Sequence, residues 1–202
     1  MNRFVNALLL FLIFPTFLYT IYVGFDMPIS FLRMTGQVLP YRFETFLGLG
    51  LLFFVIILRK SFRRWMGVLI VSRIKKFKWN EPVSKQRKGR LRTYLILETA
   101  VMAFFGIALY VLTEEAIYPA IAFLIGALDN LILAIISSKY RVGLSSKALI
   151  VADREVIVLY FTGLRKVSIH QQTVYFDYIK ELQLSFPLDC IQDESKEVFF
   201  ET

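Results

Sequence analysis

The chain has 202 residues, 56% of them hydrophobic and 16% aromatic, with a mean hydropathy of +0.57. This composition lies above the usual share for a soluble globular domain and predicts a membrane-embedded protein. The formal net charge of +8 would suit a nucleic-acid partner if it were spread over the surface, but one His and one Cys leave little for metal or disulfide chemistry.

Four windows are long and apolar enough to argue for spans, since about 20 residues are needed to cross roughly 30 Å of hydrocarbon. They are Phe4–Val23, Val38–Leu58, Tyr94–Thr113 and Ala116–Ile136. In the first, Arg3 precedes "ALLLFLIF", but no small-residue cleavage pattern follows, so the window reads as an uncleaved anchor. Pro15 lies mid-span and predicts a kink, because proline removes one backbone donor. The second window is diluted in its outer half by Arg42, Glu44 and the "GLG" at 48–50.

Between the second and third windows the charge is concentrated. Residues 59–92 hold 13 Lys and Arg against one acid, Glu81, while the rest of the chain carries 11 basic and 15 acidic residues. A basic connection between two spans is the signature of a cytoplasmic loop. The opposite connections agree, with only Arg33 and Asp26 in residues 24–41 and "TEEA" at 113–116. The expected topology therefore has four spans in a bacterial inner membrane and both termini in the cytoplasm. Within the loop, Phe62, Met66, Leu69, Ile70, Ile74 and Phe77 recur at spacings of three and four, which predicts an amphipathic helix in the inner interface. Arg63, Arg64, Arg73, Lys75, Lys76, Lys78, Arg87, Lys88, Arg90 and Arg92 are the expected membrane-surface cations, with anionic lipids as partner rather than nucleic acid. "NEPVSKQRKG" reads as a flexible connector punctuated by Pro82 and Gly89.

The third and fourth windows contain polar residues at expected membrane depth. Glu98 lies four residues into window three, and Asp129 with Asn130 interrupts "IGALDNLILAII" about eight residues from the inner end of window four. An ionisable group there costs about 2.5 to 3.5 kcal/mol on insertion scales, so it must face protein or water. Ala122, Gly126, Asn130 and Ala134 repeat every four residues, a small-residue stripe that lets membrane helices approach closely. Two roles compete for these acids. In one, Asp129 is protonated or capped by a polar or basic neighbour and ties helices together; in the other, Glu98 and Asp129 approach one another and hold a proton or cation.

From residue 139 the pattern changes to short alternating strands at 140–146, 147–152, 156–161, 166–169 and 174–179, with "EVFFE" at 197–201 as a possible edge strand. The segment holds 8 basic and 9 acidic residues and no run of spanning length. The stretch "YRVGLSSKALIV", the hairpins after it, and "VSIHQQTVYFDYIKELQL" with Tyr178, Ile179 and Leu182 at its turn resemble the bacterial pleckstrin-homology-like modules that follow membrane helices, including the YcxB-like kind. The resemblance covers about a third of the chain, and its segment is shorter than a full seven-strand module with a closing helix. It implies a binding and assembly scaffold, with no ligand residue carried over.

The expected organisation is thus two spans in 1–58, a basic amphipathic segment in 59–93, two spans in 94–138, and a small cytoplasmic antiparallel β domain in 139–202. His170 and Cys190 have no partners at ligand or nucleophile spacing, and no phosphate loop or hydrolase elbow occurs, so no catalytic residue, metal or cofactor is assigned. Three functions fit. They are a non-enzymatic membrane scaffold or accessory subunit, self-associating or within a larger complex; a small transporter or channel component using Glu98 and Asp129; and a lipid-acting membrane enzyme, which would need a catalytic cluster the sequence does not supply.

Overall fold

The computed structural model describes residues 2–29, 34–73, 77–154, 156–179 and 182–201. Ile74, Lys75, Lys76 and Arg33 of the sequence reading lie outside these. The elements in chain order are α1 (Asn2–Gly24), the two-residue strands β1 (Pro28–Ile29) and β2 (Met34–Thr35), α2 (Arg42–Val71), β3 (Trp79–Pro82), α3 (Lys85–Leu112) and α4 (Ile117–Ile135). Strands β4 (Arg141–Leu144), β5 (Ala148–Ala152), β6 (Val156–Tyr160), β7 (Leu164–His170), β8 (Thr173–Tyr178) and β9 (Gln183–Pro187) follow, and α5 (Lys196–Glu201) closes the chain. Four helices are long and apolar enough to cross a membrane.

The chain divides into two compact units, each assembled from two stretches. The helical unit comprises residues 1–61 and 95–132, and the β unit residues 62–94 and 133–202. In the helical unit the core is built from Phe46, Phe53 and Ile57 of α2, Met102 and Leu109 of α3, and Ala120, Phe123 and Ala127 of α4, with Leu9 and Val23 of α1. The Phe53 and Phe123 rings stand 4.8 Å apart, within the range of favourable aromatic pairs. Of the two glycines that dilute the second window, Gly50 lies where helices meet, since a Cβ there would fall 2.6 Å from Tyr118 Cβ, while Gly48 faces open space; Gly126 of the small-residue stripe is a close contact too, a Cβ there falling 2.9 Å from Ile57 Cγ2 and 3.1 Å from Met102 Sδ. α1 continues through Pro15, beside which the Thr16 hydroxyl donates to the Leu12 carbonyl at 2.7 Å.

The second helix corrects the reading of residues 38–77. α2 is one helix of 30 residues, so it does not end at Leu58 as expected, and the amphipathic stretch as far as Val71 is its continuation rather than a separate helix. Local sequence permits this and tertiary packing requires it. No proline and no cap-forming break lies between Arg59 and Val71, and the basic side chains on the inner face of the last turns, Lys60 and Arg64, are buried against protein rather than lying on the surface.

The β unit is correspondingly larger than residues 139–202. The stretch read as a flexible connector supplies β3, which pairs antiparallel with β4 from Trp79↔Leu144 to Pro82↔Arg141. β3 is an edge strand of the four-stranded sheet β3-β4-β5-β6, where a proline without a donor is tolerated. Ser84 then caps α3: its hydroxyl accepts from the Arg87 backbone N–H at 3.2 Å and donates to the Asp189 carbonyl at 2.6 Å. The second sheet, β7-β8-β9, is also antiparallel, and its last strand lies beyond the strands that alternation predicts. Its buried face carries Val174, Phe176 and Phe186. The "EVFFE" segment is helical, not an edge strand: Phe199 of α5 lies 5.2 Å from the Trp79 ring and 6.4 Å from Phe186, joining the two sheets through one aromatic run.

Candidate functional site

The polar residues of the helical unit converge on α2. Lys60, buried, donates from Nζ to Asn6 Oδ1 of α1 at 2.8 Å and pairs with Glu98 of α3, whose side chain is also largely buried. The next residue, Ser61, donates from Oγ to Asp129 Oδ2 of α4 at 2.7 Å. Glu98 and Asp129 are therefore matched to consecutive residues of α2, the first by a cation and the second by a hydroxyl. Nearby, the Thr99 hydroxyl donates to the Leu95 carbonyl at 2.9 Å and lies 3.4 Å from the Ala127 carbonyl of α4. Asn130 is buried, with Nδ2 3.3 Å from Met102 Sδ. Ala122, Gly126 and Ala134 are buried as well.

These contacts bind all four helices with polar links that replace water. Buried polar groups of this kind are satisfied by protein partners instead of solvent. The Lys60 partner was legible in principle. Phe62, Met66, Leu69 and Ile70 define one face of α2, which leaves Lys60 and Arg64 on the other. Asn6 had no comparable signal within the apolar first window.

The β unit holds a second ionic cluster. Arg87 reaches Asp153 through Nε, at 3.2 and 3.1 Å, and Nη2, at 2.5 Å, and lies 3.4 Å from Asp189, which Arg90 also meets at 3.1 Å. Arg64 is buried and Arg87 is committed to two carboxylates, so these two do not belong to a lipid-facing basic surface; Arg73, Lys78, Arg90 and Arg92 are exposed, Arg63 and Lys88 half-buried. Cys190 is fully buried beside this cluster, and burial, reinforced by Asp153, pushes its thiol well up from the ordinary value, which leaves it protonated and unreactive. His170 is exposed near the tip of the β7–β8 hairpin. Among the described residues no group of three or more His, Cys, Asp or Glu is arranged to hold a metal.

No family model, curated protein or solved structure matches the chain.

Proposed function

We propose that the chain is a non-enzymatic scaffold or accessory subunit of the bacterial inner membrane, with its helices packed in the bilayer and its β unit in the cytoplasm, where it mediates assembly with a partner or a second copy. The observation that carries this reading is the pairing of Glu98 with Lys60 and of Asp129 with Ser61: both acids are taken up by helix-to-helix contacts. The orientation rests on the excess of Lys and Arg in residues 59–92 over the acidic and neutral opposite connections. A pleckstrin-homology-like reading of the β unit is supported by its sheets of four and three antiparallel strands and its short C-terminal helix, although β3 enters from upstream of two helices. Such a likeness speaks to scaffold architecture and leaves the ligand to the site itself.

The test combines assembly with two substitutions. After gentle extraction the chain should remain in a complex heavier than the monomer, with itself or with a stable partner. Asp129→Asn retains an acceptor for Ser61 and should leave that complex intact, whereas Gly126→Leu, which drives a side chain into Ile57 and Met102 of the same chain, should destabilise the helical unit and with it the complex. A monomer that moves protons or cations across vesicles, and loses that movement in a folded Asp129→Asn protein, would replace the scaffold with the transporter reading.

A further inference from the structure

The last three turns of α2 have their polarity reversed relative to a water-facing helix. Phe62 (63% exposed), Met66 (42%), Leu69 (51%) and Ile70 (39%) point outward, while Arg64 on the opposite side is 3% exposed. Their spacing of four, three and one places them on a single stripe. The first turns of α3, in the same unit, behave normally, with Lys85, Gln86 and Arg90 exposed. The α2 stripe therefore requires an apolar environment of its own.

Side-chain size decides between a second helix and lipid. Close helix contacts in membranes use small residues, as this chain does at Gly126, but the stripe is made only of large side chains. The same register continues back along α2 through Leu58, Val55 and Leu51, all exposed. Exposed Arg59 and Arg73 bracket the stripe, and no acid occurs between Glu44 and Glu81. Long cationic side chains at the two ends of an apolar strip reach lipid phosphates while their stems lie on hydrocarbon.

We propose that the final three turns of α2 are a docking strip for the anionic inner-leaflet interface, with Phe62, Met66, Leu69 and Ile70 among the acyl chains and Arg59 and Arg73 on headgroup phosphates. The proposal rests on the membrane-spanning reading above. The outward apolar side chains of α2 extend from Phe43 to Ile70, about 40 Å at 1.5 Å per residue, against roughly 30 Å of hydrocarbon. The surplus of about 10 Å is the length of α2 that tilting brings to the interface, and it corresponds to the turns that carry the strip.

The experiment uses the full chain reconstituted in phosphatidylcholine vesicles containing phosphatidylglycerol, with a fluorophore on Met66→Cys or, separately, Leu69→Cys; buried Cys190 stays in place. Gln86→Cys is the reference for water and Phe104→Cys, on an exposed position of the α3 span, the reference for lipid. Both strip positions should be quenched by nitroxide-labelled lipid as strongly as position 104, and several-fold less by aqueous iodide than position 86. Lipid quenching should weaken when phosphatidylglycerol is omitted. Iodide quenching equal to position 86, insensitivity to phosphatidylglycerol, or protection from both quenchers with Met66→Cys disulfides between copies would each overturn the proposal. Loss of lipid quenching at position 104 as well would instead remove the membrane-spanning reading on which it rests.

Discussion

The two ionic clusters use the same chemistry in different surroundings. In the helical unit Lys60 has one carboxylate, Glu98, and one amide, Asn6, and both members of the ion pair are nearly hidden. In the β unit Arg87 spreads over Asp153 and Asp189, and Asp189 has a second cation in the exposed Arg90. Both members of the first pair are hidden from solvent, whereas the second cluster shares its charges among several groups and reaches solvent through Arg90. Loss of one group should thus be felt far more in the helices than in the sheets, because an unpaired buried charge is what makes a broken pair expensive.

The largest effect is expected from Glu98→Leu, which leaves the Lys60 ammonium unmatched and should destabilise by about 3–5 kcal/mol. The double replacement Lys60→Met with Glu98→Leu should recover most of that loss, read as denaturation midpoint of the detergent-solubilised protein. Equal damage from the single and double variants would show that the pair has no special standing.

A smaller effect is expected from Asp153→Ala, about 1–3 kcal/mol, because Arg87 keeps Asp189. Cys190 reports it without a second label: its modification by a thiol reagent should be very slow in the native protein, faster in Asp153→Ala, and complete on unfolding. Native Cys190 reacting at the rate of a free thiol would contradict its burial and raised pKa.

Asp129→Asn keeps an oxygen that accepts from Ser61, so it should cost less than Asp129→Leu, which removes that acceptor; denaturation midpoints of the two variants compare them. On the opposite sign, the β7–β8 turn holds Gln171 and Gln172 at φ of 46° and 60°, a conformation that favours Asn and Gly. Gln171→Asn with Gln172→Gly relieves a left-handed strain of about 1–2 kcal/mol per residue, partly offset by the entropy glycine adds to the unfolded chain, and should appear as a rise in melting temperature.

Topology labelling gains from the same burial pattern. Ser195 is buried and bonded to Glu81, and Ser84 caps α3, so neither is a good reporter of sidedness. Exposed Ser146 and Gln171 are better positions. Labelling of either cysteine variant from outside intact cells would invert the proposed orientation.

Hydropathy by itself determined the four long helices, because an apolar stretch of spanning length depends only on neighbouring residues; α3 ends at Leu112 and α4 runs from Ile117 to Ile135, each within a residue or so of the expected limit, whereas α3 begins at Lys85, nine residues before Tyr94. Alternation likewise located β4 to β8. The sequence also marked Glu98, Asp129 and Gly126 as positions needing an explanation. Which residues answer them was decided only in three dimensions: Lys60 lies 38 residues from Glu98, Ser61 lies 68 from Asp129, and such pairings depend on the rotation and depth of whole helices. The same holds for β3, whose four residues have no strand signal until β4, some sixty residues later, offers its backbone as partner, and for α2, whose continuation past Leu58 depends on a protein surface that receives Arg64 on one side while Phe62, Met66, Leu69 and Ile70 turn outward.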